Sequence, residues 1–233
     1  MKRHLSSVAA LLVLTGLPLG QAIAQSGSRT QLAAAFRAAF GRDGRAIRTM
    51  GDATITYRPG SLRRVGSRAI LISPGESNQQ CHSCAGMLAV HYLEPSGAGF
   101  RAAGEWLDGG GTGSWGHPPD GSFSTLLSTQ PMLASRGGWG GQGIVCTNVT
   151  YYEFTRHGPR PVATIQLSYS DVDSPFSEGR ARTRYRGSIT HIIKDRSFDV
   201  VYSGTIQLTE HYRRAGATYV RAPARSRLRL RDC

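Results

Sequence analysis

The spacing of apolar residues changes once along this chain, and that change limits what it can fold into. Leu32, Phe36 and Phe40 recur at four-residue intervals with Ala33 and Ala39 beside them. Such spacing puts one apolar stripe on a helix of about three turns. Ser28 or Thr30 stands where an N-cap is needed, and Gly41 stands where the helix must stop. From residue 52 onward the period is two, which puts alternate side chains on opposite faces of a strand.

The period-two segments are 54–57, 68–72, 87–93, 100–107, 144–154, 162–169, 182–193 and 198–208, with Val220 and residues 224–231 closing the series. Turn residues separate them, among them Pro59-Gly60, Pro95-Ser96-Gly97, Gly158-Pro159 and Lys194-Asp195. Strands do not alternate with helices, which argues against a parallel α/β sheet. The reading predicts a mainly β protein, an antiparallel sandwich or open barrel of roughly 8–10 strands with one short N-terminal helix. Residues 25–233 are expected to form a single β-rich domain. Gly-rich stretches at 109–116 and 137–141 are expected to be loops.

Residues 1–24 read as a secretory signal peptide. Lys2 and Arg3 start it, an apolar run from Val8 to Leu19 follows, and Ala22-Ile23-Ala24 supplies the small-x-small cleavage pattern. No later stretch reaches the roughly 18 apolar residues of a membrane helix. A periplasmic or secreted location is therefore expected. The compartment bears on Cys81, Cys84, Cys146 and Cys233, because an even count in an oxidising environment suggests disulfides. The expected pairing is a local Cys81–Cys84 bridge and a long Cys146–Cys233 staple.

The formal charge is +13, and +11 once Lys2 and Arg3 leave with the signal. Lys194 is then the sole lysine, so the excess is arginine. Arg180, Arg182, Arg184 and Arg186 occupy alternate positions, as do Arg225, Arg227, Arg229 and Arg231. On strands, each row would present four guanidinium groups on one side, and adjacent strands would merge them into one basic field. Guanidinium groups pair with phosphate and carboxylate in a bidentate way. The field therefore points to an anionic polymer: lipopolysaccharide, an acidic glycan or nucleic acid. Solvated charges, or charges that guard an edge strand, are the plainer reading. Few aromatics interleave with the arginines, which argues against base stacking.

Cys81-His82-Ser83-Cys84 is a C-x-x-C motif. With a strand before it and, as an alternative to the strand at 87–93, a helix over 85–93 after it, it resembles the thioredoxin active-site turn in that local arrangement alone. That resemblance implies thiol–disulfide exchange at Cys81 and Cys84, but the helix–strand alternation of the fold is missing downstream. Ala85 stands where a c-type haem site needs histidine. A metal centre from Cys81, His82 and Cys84 with Cys146 or His91 lacks a second paired set of ligands. Ser114, His117 and Asp120 are near in sequence, but they lie in a Pro-Gly turn without a Gly-x-Ser-x-Gly elbow. No phosphate-cradling glycine motif is present.

Trp115 and Trp139 either form a sugar-stacking platform or pack back onto the sheet. Asp171, Asp173 and Ser174 suit a calcium ion or a simple turn. Asn148-Val149-Thr150 is a glycosylation acceptor in a eukaryotic secretory route. The sequence thus leads to an exported, disulfide-stapled β domain that binds an anionic partner rather than transforming it, with no cofactor or metal expected. Thiol–disulfide exchange and a protein-binding or inhibitor module are the alternatives.

Overall fold

The computed structural model describes residues 28–111, 113–175, 181–222 and 229–233. The predicted signal segment lies outside them. Helix α1 (Arg29–Phe40) begins at Ser28, whose Oγ accepts from Gln31 N at 3.2 Å while Gln31 Oε1 accepts from Ser28 N at 3.1 Å. This reciprocal pair satisfies two backbone donors at the helix start. Gly41 ends the helix at φ 74°, a left-handed conformation that glycine adopts without a steric penalty.

The first sheet holds β1 (Ala46–Met50), β2 (Ala53–Tyr57), β3 (Ser61–Val65), β4 (Arg68–Ser77), β5 (Met87–Ser96) and β6 (Gly99–Trp106). Its order is β1-β2-β4-β5-β6, with β3 also pairing β4, all antiparallel. One face buries Ile55, Tyr57, Leu71 and Ala89 against Phe36 and Phe40 of α1. Each phenylalanine so buried contributes about 1.5–3 kcal/mol. The other face sets Ile70, Ile72, Leu88, Val90 and Tyr92 against Leu133, Tyr152 and Phe154 of the second sheet.

The second sheet is a meander of eight strands. They are β7 (Asp120–Ser124), β8 (Met132–Gly141), β9 (Ile144–Thr155), β10 (Gly158–Ser170), β11 (Arg184–Ile193), β12 (Ser197–Gly204), β13 (Leu208–Ala215) and β14 (Thr218–Arg221). Each pairs with its chain neighbours. The fold is mainly antiparallel β with one short helix near the N-terminus, as the periodicity predicts. No helix among the described residues is long and apolar enough to cross a membrane.

Four local expectations differ from the structure. Fourteen strands occur among the described residues, because edge strands such as β1, β7 and β14 have only four or five residues and little alternation. The glycine-rich stretch 137–141 is strand, not loop, because β9 supplies its hydrogen-bonding partners from Asn148 to Ile144. The segment 198–208 divides at Gly204, where φ of 136° reverses the chain. Residues 229–231, read as part of a final strand, are irregular. They lie on the sheet instead, with Leu230 against its core and Cys233 bridged to Cys146.

Candidate binding site

The first arginine row alternates as a strand requires. Arg182, Arg184 and Arg186 are exposed, while Thr183 and Tyr185 between them are buried. Arg180 lies outside the described residues. Strand β11 sits between β10 and β12, so these charges do not guard a sheet edge. The sheet register carries their face across four strands. Arg186 pairs with Ser168 of β10, Ser168 with Thr147 of β9, and Arg136 of β8 with Val149 of β9. Arg136 and Arg186 thus flank one open groove of about 620 Å³. Its floor combines Val149, Tyr151 and Ile189 with the hydroxyls of Thr147, Ser168 and Ser188.

Arg136, Arg182, Arg184 and Arg186 form no ion pair among the described residues. By contrast, Arg214 and Arg160 both bond Glu153. Burial opposes ionisation of that carboxyl, yet the two guanidinium donors outweigh it and hold the group below its ordinary range. The charge beside the groove is felt within it. Burial pushes the Tyr151 phenol up, and Arg136 pulls it partly back.

The second arginine row stands elsewhere. Arg225 and Arg227 lie outside the described residues. The segment carrying Arg229 and Arg231 crosses the opposite face of the sheet, because the buried Tyr185 donates from its hydroxyl to Arg231 O at 2.9 Å. Tyr185 alternates with Arg184 and Arg186, so the described arginines of the two rows are on opposite sides and do not merge into one field. Arg231 also approaches Asp171 at 3.8 Å. The Cys146–Cys233 bridge anchors this segment, with Cα atoms 5.9 Å apart.

Under the segment is a second, polar cavity of about 510 Å³. Glu210 sits in its wall with its side chain almost fully buried. Its carboxylate accepts from Tyr212 at 2.9 Å and from Arg221 at 2.5 Å, with the Tyr202 hydroxyl at 3.4 Å. Neither Arg136 nor the Glu210 cluster was legible in the sequence. A single arginine beside a glycine run has no alternation, and only strand register brings it to Arg186.

The C-x-x-C bridge forms as expected, with Cα atoms 4.8 Å apart. It closes a turn between β4 and β5, and β5 is the strand that the period-two pattern of 87–93 predicts, not the helix that the thioredoxin-like alternative needs. No helix N-terminus is therefore available to lower a thiolate pKa there. His91 is on β5 and buried, and its Nε2 donates to Glu105 Oε1 at 3.1 Å rather than joining the cysteines. Among the described residues no group of three or more His, Cys, Asp or Glu side chains forms a metal-holding cluster.

His82 lies between the two exposed tryptophans. The Trp115 and Trp139 rings each stand 5.2 Å from its centroid, nearly edge-on. Ser114 Oγ donates to Gly138 O, so it is not positioned by His117 as a nucleophile would be. Asp171 is committed to the Thr183 amide at 2.5 Å, and the Asp171–Ser174 turn closes through Ser174 N to Asp171 O.

No family model matches this chain, and no curated protein or solved structure matches it.

Proposed function

We propose that this chain is an exported binding protein whose large sheet engages an anionic polymer. The reading starts from the N-terminal segment 1–24 and the two disulfides, which suit an oxidising compartment. One observation carries it. Arg186 from a central strand and Arg136 opposite it border one open groove, with Arg184 exposed two residues from Arg186 on the same strand face, and none of the three has an ion-pair partner among the described residues.

Phosphate or carboxylate groups of the polymer pair with these guanidinium forks. The Thr147 and Ser168 hydroxyls bond each other, which leaves one of that pair, together with Ser188, to supply further donors along the floor. A polyanion held this way is recognised by charge and spacing, and its affinity falls with salt. Lipopolysaccharide phosphates and acidic glycans meet an exported protein first.

The test is retention of the disulfide-intact protein on immobilised heparin and on lipopolysaccharide, against salt concentration. Replacing Arg136, Arg184 and Arg186 together by Ser should lower the log–log salt slope by about 2–3, at roughly 0.7–0.9 per lost contact. Unchanged retention and slope in that variant would overturn the reading. Replacing Arg229 alone should leave the slope nearly intact, since it stands across the sheet.

A further inference from the structure

We infer that His82, Trp115 and Trp139 form a second binding site, for a neutral glycan chain. Three segments of the chain converge there: the C-x-x-C turn, the loop 113–117, and the end of β8. None of residues 77–93, 113–119 or 137–152 is Asp, Glu, Lys or Arg. In a chain of net charge +13 an uncharged patch of this kind does not serve the polyanion. Its exposed groups are indoles, an imidazole, hydroxyls, amides and the Val145 side chain.

The indoles are accessible. Trp115 is 48% exposed and Trp139 is 37% exposed. Each lies 5.2 Å from the His82 ring at interplanar angles of 89° and 83°, so they stand no more than twice that distance apart. His82 Nε2 bonds Gly140 O at 2.6 Å. A carbonyl only accepts, so Nε2 carries the proton, and in the neutral ring Nδ1 is an acceptor. Among the described residues Nδ1 has no hydrogen-bond partner. Ser83 and Gln142 are exposed nearby in sequence.

The scaffold under these groups is rigid. Gly116 N donates to Cys84 O at 2.8 Å, Ser77 N to Gly116 O at 2.8 Å, and Gly113 N to Gly86 O at 2.9 Å. Ser114 Oγ ties the loop to Gly138 of β8. The Cys81–Cys84 bridge closes the turn that carries His82. Trp115 itself has φ 55°, a left-handed conformation rare for a bulky residue. Its indole packs against His82 yet stays about half exposed, so strained backbone here holds an aromatic surface open to contact.

Flat aromatic faces beside an acceptor match the chemistry of a pyranose ring, which offers an apolar C–H face and equatorial hydroxyls. Membrane-surface segments combine Trp, Phe or Leu with Lys and Arg, and residues 77–93, 113–119 and 137–152 carry no Lys or Arg. The site is independent of the arginine groove, and salt separates the two.

The experiment is retention of the disulfide-intact protein on insoluble chitin and cellulose, with chitohexaose and cellohexaose titrated by tryptophan fluorescence. Binding to one of these probes is expected, and it should persist at molar salt. Trp115→Gly and Trp139→Ala should each weaken it about tenfold, while Trp115→Phe retains most of it. Trp115→Gly relieves the left-handed strain, so it should melt close to the parent and separate loss of binding from loss of folding. Absence of binding to all four probes, or binding that Trp115→Gly and Trp139→Ala leave unchanged, would overturn the site. Retention that molar salt removes would assign it to the arginines instead.

Discussion

Replacing Cys233 by Ala opens the longer bridge at its exposed end and leaves Cys146, which is 1% exposed, in the core. The bridge spans a sequence separation of 87 residues. In the chain-entropy model the lost constraint on the unfolded state is worth about 4.6 kcal/mol at 25 °C. The same relation gives about 1.6 kcal/mol for Cys81–Cys84, whose separation is 3. The two bridges should therefore differ by about 3 kcal/mol, whatever strain they share. Release of the segment also puts at risk the Tyr185 hydroxyl bond to Arg231 O and the packing of Leu230. Each such hydrogen bond adds about 1 kcal/mol.

Equilibrium urea unfolding followed by circular dichroism measures the difference. At a slope of roughly 2 kcal/mol/M the midpoint of Cys233→Ala should fall by about 2 M. The Cys81→Ser/Cys84→Ser pair should fall by less than half as much. A loss below about 1 kcal/mol for Cys233→Ala, or a larger loss for the C-x-x-C pair, would refute the loop-length reasoning.

Two other measurements probe the fold. Burial lowers the pKa of His91 below its ordinary 6.5, and the contact with Glu105 offsets only part of that. The unfolded chain then binds the proton more readily, so stability should decline as pH falls below about 6.5 and be flat above it; His91→Gln should flatten the acid limb in thermal melts between pH 7.5 and 5, and an unchanged limb would assign it to other groups. Gly143 has φ 74°, and a Cβ there would stand 2.1 Å from Asp173 O. Gly143→Ala should cost about 2–4 kcal/mol, seen as a lower urea midpoint, because backbone must move on both sides.

The sequence disclosed the elements with strong periodicity. Helix α1, with Phe36 and Phe40 inward and Ser28 and Gly41 at its ends, was readable because cap and period agree. Both disulfide pairings followed from spacing and compartment. Strand β8 was not readable, because Gly137, Gly138, Gly140 and Gly141 carry no side chain from which to infer a face, and its pairing comes from β9. The alternation of Arg184, Tyr185 and Arg186 gave their relative faces, but it could not say which side the Arg231 segment would cross. Nor could chain order place His82 between two indoles that are 24 residues apart in sequence.

Every strand of the large sheet pairs only with the strand before it and the strand after it. Most closures therefore span a short turn, the connection from Ser170 of β10 to Arg184 of β11 being the longest, and none waits for a strand distant in chain order. Such a ribbon can zip up in order as the polypeptide emerges, with a short-lived edge at each stage. Its weakness is that either end can fray without disturbing the other. The Cys146–Cys233 bond joins the ninth strand to a residue beyond the fourteenth. It turns a strip of locally held hairpins into a closed loop, whose far strands must open together or not at all.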